Sequence, residues 1–242
     1  MEDVNYFLHS INEKEMVDSV FLMEVKSLLE LRKENQAEQL LDQKNEWFAR
    51  NENHKCTFLL LKNHARLLSG RYDSLNEPNC GHGKHLEQWR IQLLAKSLFL
   101  RSTEEFDMVF QSAKCSDPIL SVVEFALYVQ KEDILRTPKK SRFLAGFFSS
   151  IIPGTGKLYA GKPREAVYAF LPVAFNLAQA GEGYYRKQLD SPHFYFFGSL
   201  TALFYTSNIY GSAMAAKRRN VEVDFRVNNN IEFEISKLTK YY

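Results

Sequence analysis

The run from Phe143 to Asn220 constrains the fold more than any other part of the chain. It opens FLAGFFSSIIPGTGKLYAGKPREAVYAFLPVAFNLAQAG, resumes after a short polar loop at HFYFFGSLTALFYTSNIYGSAMAA, and stops at Lys217-Arg218-Arg219-Asn220. No charged residue falls between Ala166 and Gly181, and between Ser191 and Ala216 only His193 and tyrosines ionise. A bilayer core takes roughly 20 apolar residues as helix. The second run has that length, and the first reaches it if Arg164 and Arg186 snorkel. The expectation is a helical membrane hairpin over 137–220, with spans Ala166–Gly181 and Pro192–Ala216. Phe143–Ile152 is too short to cross. A pair of core helices that never meets lipid is the competing reading, supported by the short first run and a mean hydropathy of -0.33.

Each expected span offers a packing face. Ser207, Gly211 and Ala215 recur every four residues, as do Ala166, Phe170, Ala174 and Ala178, and small residues at that spacing let backbones approach closely. Asn176 and Asn208 need polar partners in an apolar setting. Basic residues fix the expected orientation. Lys139, Lys140, Arg142, Lys162 and Arg164 precede the spans, Lys217 to Arg219 follow them, and the connecting loop holds only Arg186 and Lys187. Positive charge is retained in the cytoplasm, so both termini are expected there, at a cell membrane. The opening MEDVNYFLHSINEKEM lacks a basic n-region and an apolar h-region. A removed leader would place the N-terminal part in the periplasm instead.

Pro153-Gly154-Thr155-Gly156-Lys157 spells part of a nucleotide-binding loop. In the full pattern G-x-x-x-x-G-K-[ST] the first glycine position is here Ile151 and the hydroxyl position Leu158. Both losses argue against phosphate and magnesium binding. The same segment resembles a bacterial membrane domain of the form Pro-Gly-x-Gly-Gln-x-Tyr-x-Gly, distantly TM2-like. Pro153, Gly154, Gly156, Tyr159, Gly161, Phe170 and Asn176 carry the match, and Asn208, Tyr210, Gly211, Ala215 and Asn220 continue it. Lys157 stands where that family has glutamine. The resemblance covers about one third of the chain and implies a tight turn before a span, but no activity.

From Val20 to about Arg136 apolar residues recur at helical spacing. Leu31-Arg32 aligns with Leu100-Arg101, and Ala37, Leu40 and Leu41 align with Phe106, Val109 and Phe110. This offset is two periods of about 34 residues, and the stretch is similar to tetratricopeptide repeats. Asp117-Pro118 would close the last unit. Pro78 and Gly81-His82-Gly83 would cut short the second helix of the middle unit, after a corner at SGRYDSL. Stacked helical hairpins of this kind make concave surfaces suited to peptides.

The remaining features are weaker. Cysteines at 56, 80 and 115 make an odd count, and free thiols favour a reducing compartment. Cys80-Gly81-His82-Gly83-Lys84-His85 lacks a recognised zinc spacing and reads as a solvated linker. No catalytic constellation stands out. A net charge of +2 does not argue for nucleic acid. In the tail, Val221, Val223, Phe225 and Val227 alternate strictly. Asn228 to Asn230 follow, then Ile231, Phe233 and Ile235. Period two around asparagines predicts a β-hairpin. The whole reading is an all-α chain: tetratricopeptide-like hairpins over 1–136, a membrane hairpin over 137–220 and a β-hairpin over 221–242. Its expected role is a membrane-anchored adaptor with no catalytic activity and no cofactor, holding a protein or peptide partner in the repeat groove while contacting the lipid bilayer. The alternative is a component of a membrane enzyme or transporter, with a polar site built from Asn176, Asn208, His193 and Lys157.

Overall fold

The computed structural model describes residues 19–45, 52–78 and 83–240. All regular structure among them is helical, and no strand occurs. The chain divides into two compact units. One takes the described residues up to Arg136 together with 227–240, and the other spans Thr137–Arg226.

In the first unit, α1 (19–30) precedes α2 (Glu34–Gln43), α3 (Glu52–Leu68), α4 (Lys84–Phe99), α5 (Thr103–Ser112) and α6 (Pro118–Arg136). α2 packs on α3, α3 on α4, and α4 on both α5 and α6. The core between α1, α2 and α3 holds Phe21, Leu22, Val25, Leu29, Ala37, Leu41, Phe58, Leu61 and Ala65.

Three of these helices end in the same way. Arg32, Gly70 and Arg101 adopt positive φ of 55°, 77° and 60°. After each, the next N–H reaches back five residues: Lys33 to the Leu28 carbonyl at 2.9 Å, Arg71 to Arg66 at 2.9 Å, and Ser102 to Ser97 at 2.9 Å. This is the Schellman cap, which satisfies carbonyls that the helix leaves orphaned. The aligned pairs Leu31-Arg32 and Leu100-Arg101 thus occupy equivalent corners, and Ala37 and Phe106 are both fully buried. In the middle, a short 3-10 turn at Tyr72–Ser74 and extended chain follow the cap. Asn63 pins this loop, its amide donating to the Asn76 carbonyl at 2.7 Å and accepting from the Asn76 N–H at 3.0 Å.

The second unit starts with α7 (Arg142–Ile151), α8 (Thr155–Tyr159) and α9 (Pro163–Lys187). Then comes α10, which runs Pro192–Ser236.

Three expectations are corrected here. No helix among the described residues is long and apolar enough to cross a membrane. The expected spans lie in α9 and α10, but freedom from charge is not apolarity. The expected span in α10 carries His193, Tyr195, Ser199, Thr201, Tyr205, Thr206, Ser207 and Asn208. The membrane hairpin over 137–220 is therefore not present, and the placement in a cell membrane with both termini cytoplasmic loses its basis. The C-terminal β-hairpin over 221–242 is absent too: 221–236 continue α10, and Lys237–Lys240 form a 3-10 turn. The strict alternation concealed a second pattern, since the buried residues are Val227, Ile231, Ile235 and Leu238, at helical spacing. Val221, Phe225 and Phe233 are exposed. The supposed turn asparagines bond from the helix surface instead: Asn228 accepts from Arg101 at 2.9 Å and Asn230 donates to Gln130 at 3.2 Å. Finally, Cys56 is disulfide-bonded and Cys115 is a free thiol. Position 56 is thus not the free thiol expected, because sequence spacing does not reveal which sulfurs approach.

Candidate functional site

α4 and α5 enclose a groove of about 410 Å³ in the first unit. Leu86, Trp89 and Leu93 line it from α4, and Met108 and Val109 from α5. The α4 residues fall three and four apart, so they share one helical face. Met108 is 69% exposed while Trp89 is 7% exposed, so the groove has a fixed aromatic wall and an open, adaptable lip. Glu77 and Lys114 stand at its rim.

A buried charge network holds this groove in shape. The Arg90 guanidinium donates to the carbonyls of Val109 at 3.3 Å and Phe110 at 3.4 Å, and also to that of Ala113. It thereby caps the C-terminal end of α5, where carbonyls lack partners and a cation is favoured. Its other nitrogen bonds Glu124 and reaches Cys115 Sγ at 3.4 Å. Glu124 in turn accepts from the Cys115 N–H at 3.3 Å. Burial pushes the Cys115 thiol up to about 11, the Arg90 contact pulling the other way. It is therefore protonated and unreactive at neutral pH. Glu87 accepts from the N–H groups of Ser116 at 2.9 Å and Asp117 at 3.2 Å. Asp117 caps α6 by accepting from Ile119 at 2.8 Å and Leu120 at 3.3 Å, and those two bonds hold its carboxyl below the usual range.

Sequence reasoning missed this groove. Its one signal was spacing: Arg90 and Glu124 stand 34 residues apart, about one tetratricopeptide period.

The turn residues Pro153, Gly154, Gly156, Tyr159 and Gly161 come together in the second unit, around α8. Gly154 has φ +91°, and a Cβ there would lie 2.5 Å from the Ala166 carbonyl. At Gly156 a Cβ would lie 1.8 Å from the Ala145 carbonyl. The glycines therefore let α7 and α9 press backbone against backbone on α8. Gly161, at φ +77°, closes α8 with another Schellman cap, Lys162 reaching the Lys157 carbonyl at 2.9 Å. The Tyr159 hydroxyl accepts from the Ser141 N–H at 3.2 Å, and Lys140 lies 4.8 Å above its ring. Four N–H groups of the loop and of the helix it opens are engaged inside the protein. Thr155 bonds Ile152, Lys157 and Leu158 bond Gly154, and Gly156 bonds Ser149 Oγ at 3.0 Å. These four are not available to cradle a phosphate.

The other candidate residues do not converge. Asn176 is buried and donates to the Pro172 carbonyl of its own helix at 2.6 Å. Asn208 is buried, and neither amide atom has a hydrogen-bond partner among the described residues. Ala215 is fully buried beside Ala145 and Ala160, Gly211 lies against the end of the Lys157 side chain, and Ser207 is exposed. The His193 ring lies tilted against that of Phe197, centroids 4.5 Å apart, and borders a separate cavity of about 350 Å³ with Gln179, Glu182 and Arg186. Among the described residues no three His, Cys, Asp or Glu side chains are placed to hold a metal. Cys80, Gly81 and His82 lie outside the described residues. No protein-family model matches the chain, and no curated protein or solved structure matches it.

Proposed function

We propose that the protein is a non-catalytic adaptor whose first unit holds an apolar peptide segment of a protein partner in the α4–α5 groove. The observation that carries this is the groove itself: an aromatic and aliphatic lining on a wall fixed by the buried Arg90–Glu124 pair. Pockets of this size and lining suit ligands with apolar anchors. The unit is read as tetratricopeptide-like. The equivalent Schellman corners at Arg32 and Arg101 and the packing of α2 on α3, α3 on α4 and α4 on α5 and α6 support that reading. So does the 34-residue separation of the ion pair. The middle repeat is the irregular one, since the short Tyr72–Ser74 turn takes the place of a second helix.

Selection from a displayed random-peptide library tests this. Peptides with an apolar core are expected to enrich on the full chain, and Met108→Glu should weaken the selected peptides about tenfold or more, the order expected when a groove contact is lost. Failure to enrich, or selected peptides indifferent to both Met108→Glu and Trp89→Ala, would overturn the proposal.

A further inference from the structure

One end of the second unit gathers cations from three stretches of sequence. Asn220 and Lys140 bond reciprocally, the Asn220 amide donating to the Lys140 carbonyl at 2.8 Å and accepting from its N–H at 2.9 Å. Arg219 donates to the Pro138 carbonyl at 3.2 Å, and Lys162 pairs with Glu222 at 3.2 Å. These contacts tie the start of α7, the start of α9 and the middle of α10 together. Some of the cations there are engaged, such as Lys139 with Asp224 at 2.9 Å. Arg142, Arg164, Lys217 and Arg218 are not: all four are exposed, and none has a hydrogen bond or ion pair among the described residues. Arg142 and Arg164 also sit in the first turns of α7 and α9, the wrong sign for a helix N-terminus unless an anion is present.

Apolar surface adjoins these cations. Phe143 is 77% exposed next to Arg142, Tyr168 is 74% exposed one turn from Arg164, and Val221 is 58% exposed beyond Arg219. A collar of unpaired positive charge bordered by exposed aromatic and aliphatic side chains is complementary to one chemistry, an anionic head joined to an apolar chain. We infer that this end of the second unit binds an anionic amphiphile, its phosphate-type head on Arg142, Arg164, Lys217 and Arg218 and its chain against Phe143 and Tyr168. Such binding is superficial and needs no helix that crosses a bilayer.

Co-sedimentation of the full chain with vesicles tests the inference. Binding to vesicles of phosphatidylglycerol and phosphatidylcholine should be at least about tenfold tighter than to phosphatidylcholine alone, as basic clusters on anionic lipid behave, and should weaken with salt. The combined change Arg142→Gln, Arg164→Gln, Lys217→Gln and Arg218→Gln should remove the preference. Exchanging the same residues between Lys and Arg should keep it, which separates charge from folding. Equal binding to both vesicles, no binding to either, or a preference that survives the glutamine changes would overturn the inference. Binding of inorganic phosphate that is lost in the glutamine variant, with no vesicle binding, would also overturn it, by showing a site for the head alone.

Discussion

The two units solve the burial problem with opposite materials. In the first, charge is buried and paired. Arg90 and Glu124 are each only 9% exposed at the side chain, and Glu38 at 7% takes Arg66 at 3.0 Å and also Arg71. In the second, the ion pairs lie nearer the surface: Arg186–Glu182 at 73% and 47% exposed, Lys139–Asp224 at 61% and 34%. Its interior instead holds Ala145, Ala160, Ala215 and Ala216 with glycine-mediated backbone contact, and a buried hydroxyl pair, Ser149 to Ser212 at 2.7 Å. Buried pairs define one arrangement because leaving either partner alone is costly. Small residues define one arrangement because any added atom collides. The first unit should therefore be sensitive to lost charge, and the second to added volume.

The largest expected effect is Gly156→Val. With a Cβ position 1.8 Å from the Ala145 carbonyl, the helices must separate, and the cost should exceed about 4 kcal/mol. Loss of the unit's cooperative melting would show this; an unchanged melt would mean that α7 and α8 are not in backbone contact. Next is Glu124→Ala, which strands the buried Arg90 guanidinium and should cost about 3–5 kcal/mol by chemical denaturation. A loss below about 1 kcal/mol would place the pair in solvent, as for exposed ion pairs, and erase the contrast between the units.

A titration sharpens the comparison. His64 lies fully buried in the first unit, and burial lowers it from 6.5 to about 4. The folded chain keeps it neutral while the unfolded chain takes up a proton below 6.5. Its contribution is complete above that pH and is lost as pH falls toward 4, on the order of 3 kcal/mol in all. The difference in denaturation midpoint between the parent and His64→Gln should change across that window, since the other titrating groups cancel in the difference. A constant difference would refute the burial. The smallest effect is Gly181→Ala in α9, where a Cβ meets nothing within 4 Å. It should stabilise by about 0.5–1 kcal/mol. Destabilisation there would show a close contact at that point of the helix.

Legibility in the sequence follows the range of the interaction. The helices of the first unit rest on neighbours a few residues away, so periodicity reached them, whereas the positive-φ corners at Arg32 and Arg101 and the Asp117 cap showed only as a repeat alignment and as the close of the last unit. The groove did not show, because Trp89 and Met108 share no local pattern and meet only when α5 folds back on α4. Charge-free helices were misread as apolar ones, because counting charges ignores the hydroxyls and amides that dilute α9 and α10.

The tail marks the boundary between the two kinds of information. Local sequence determined that residues 221–235 alternate apolar and polar, and that asparagines fall in their middle. That pattern is compatible with a strand, and it also contains apolar residues four apart. Tertiary structure made the choice: Val227, Ile231, Ile235 and Leu238 are buried while Val221, Phe225 and Phe233 stay exposed. A lone hairpin would have been marginal, whereas a helix that buries one residue in about four gains that apolar transfer and satisfies its own backbone. The same division holds at Pro153 to Gly161. The residues alone required a tight glycine turn, and only the packing of α7, α8 and α9 shows that two of those glycines are there to admit a neighbouring carbonyl.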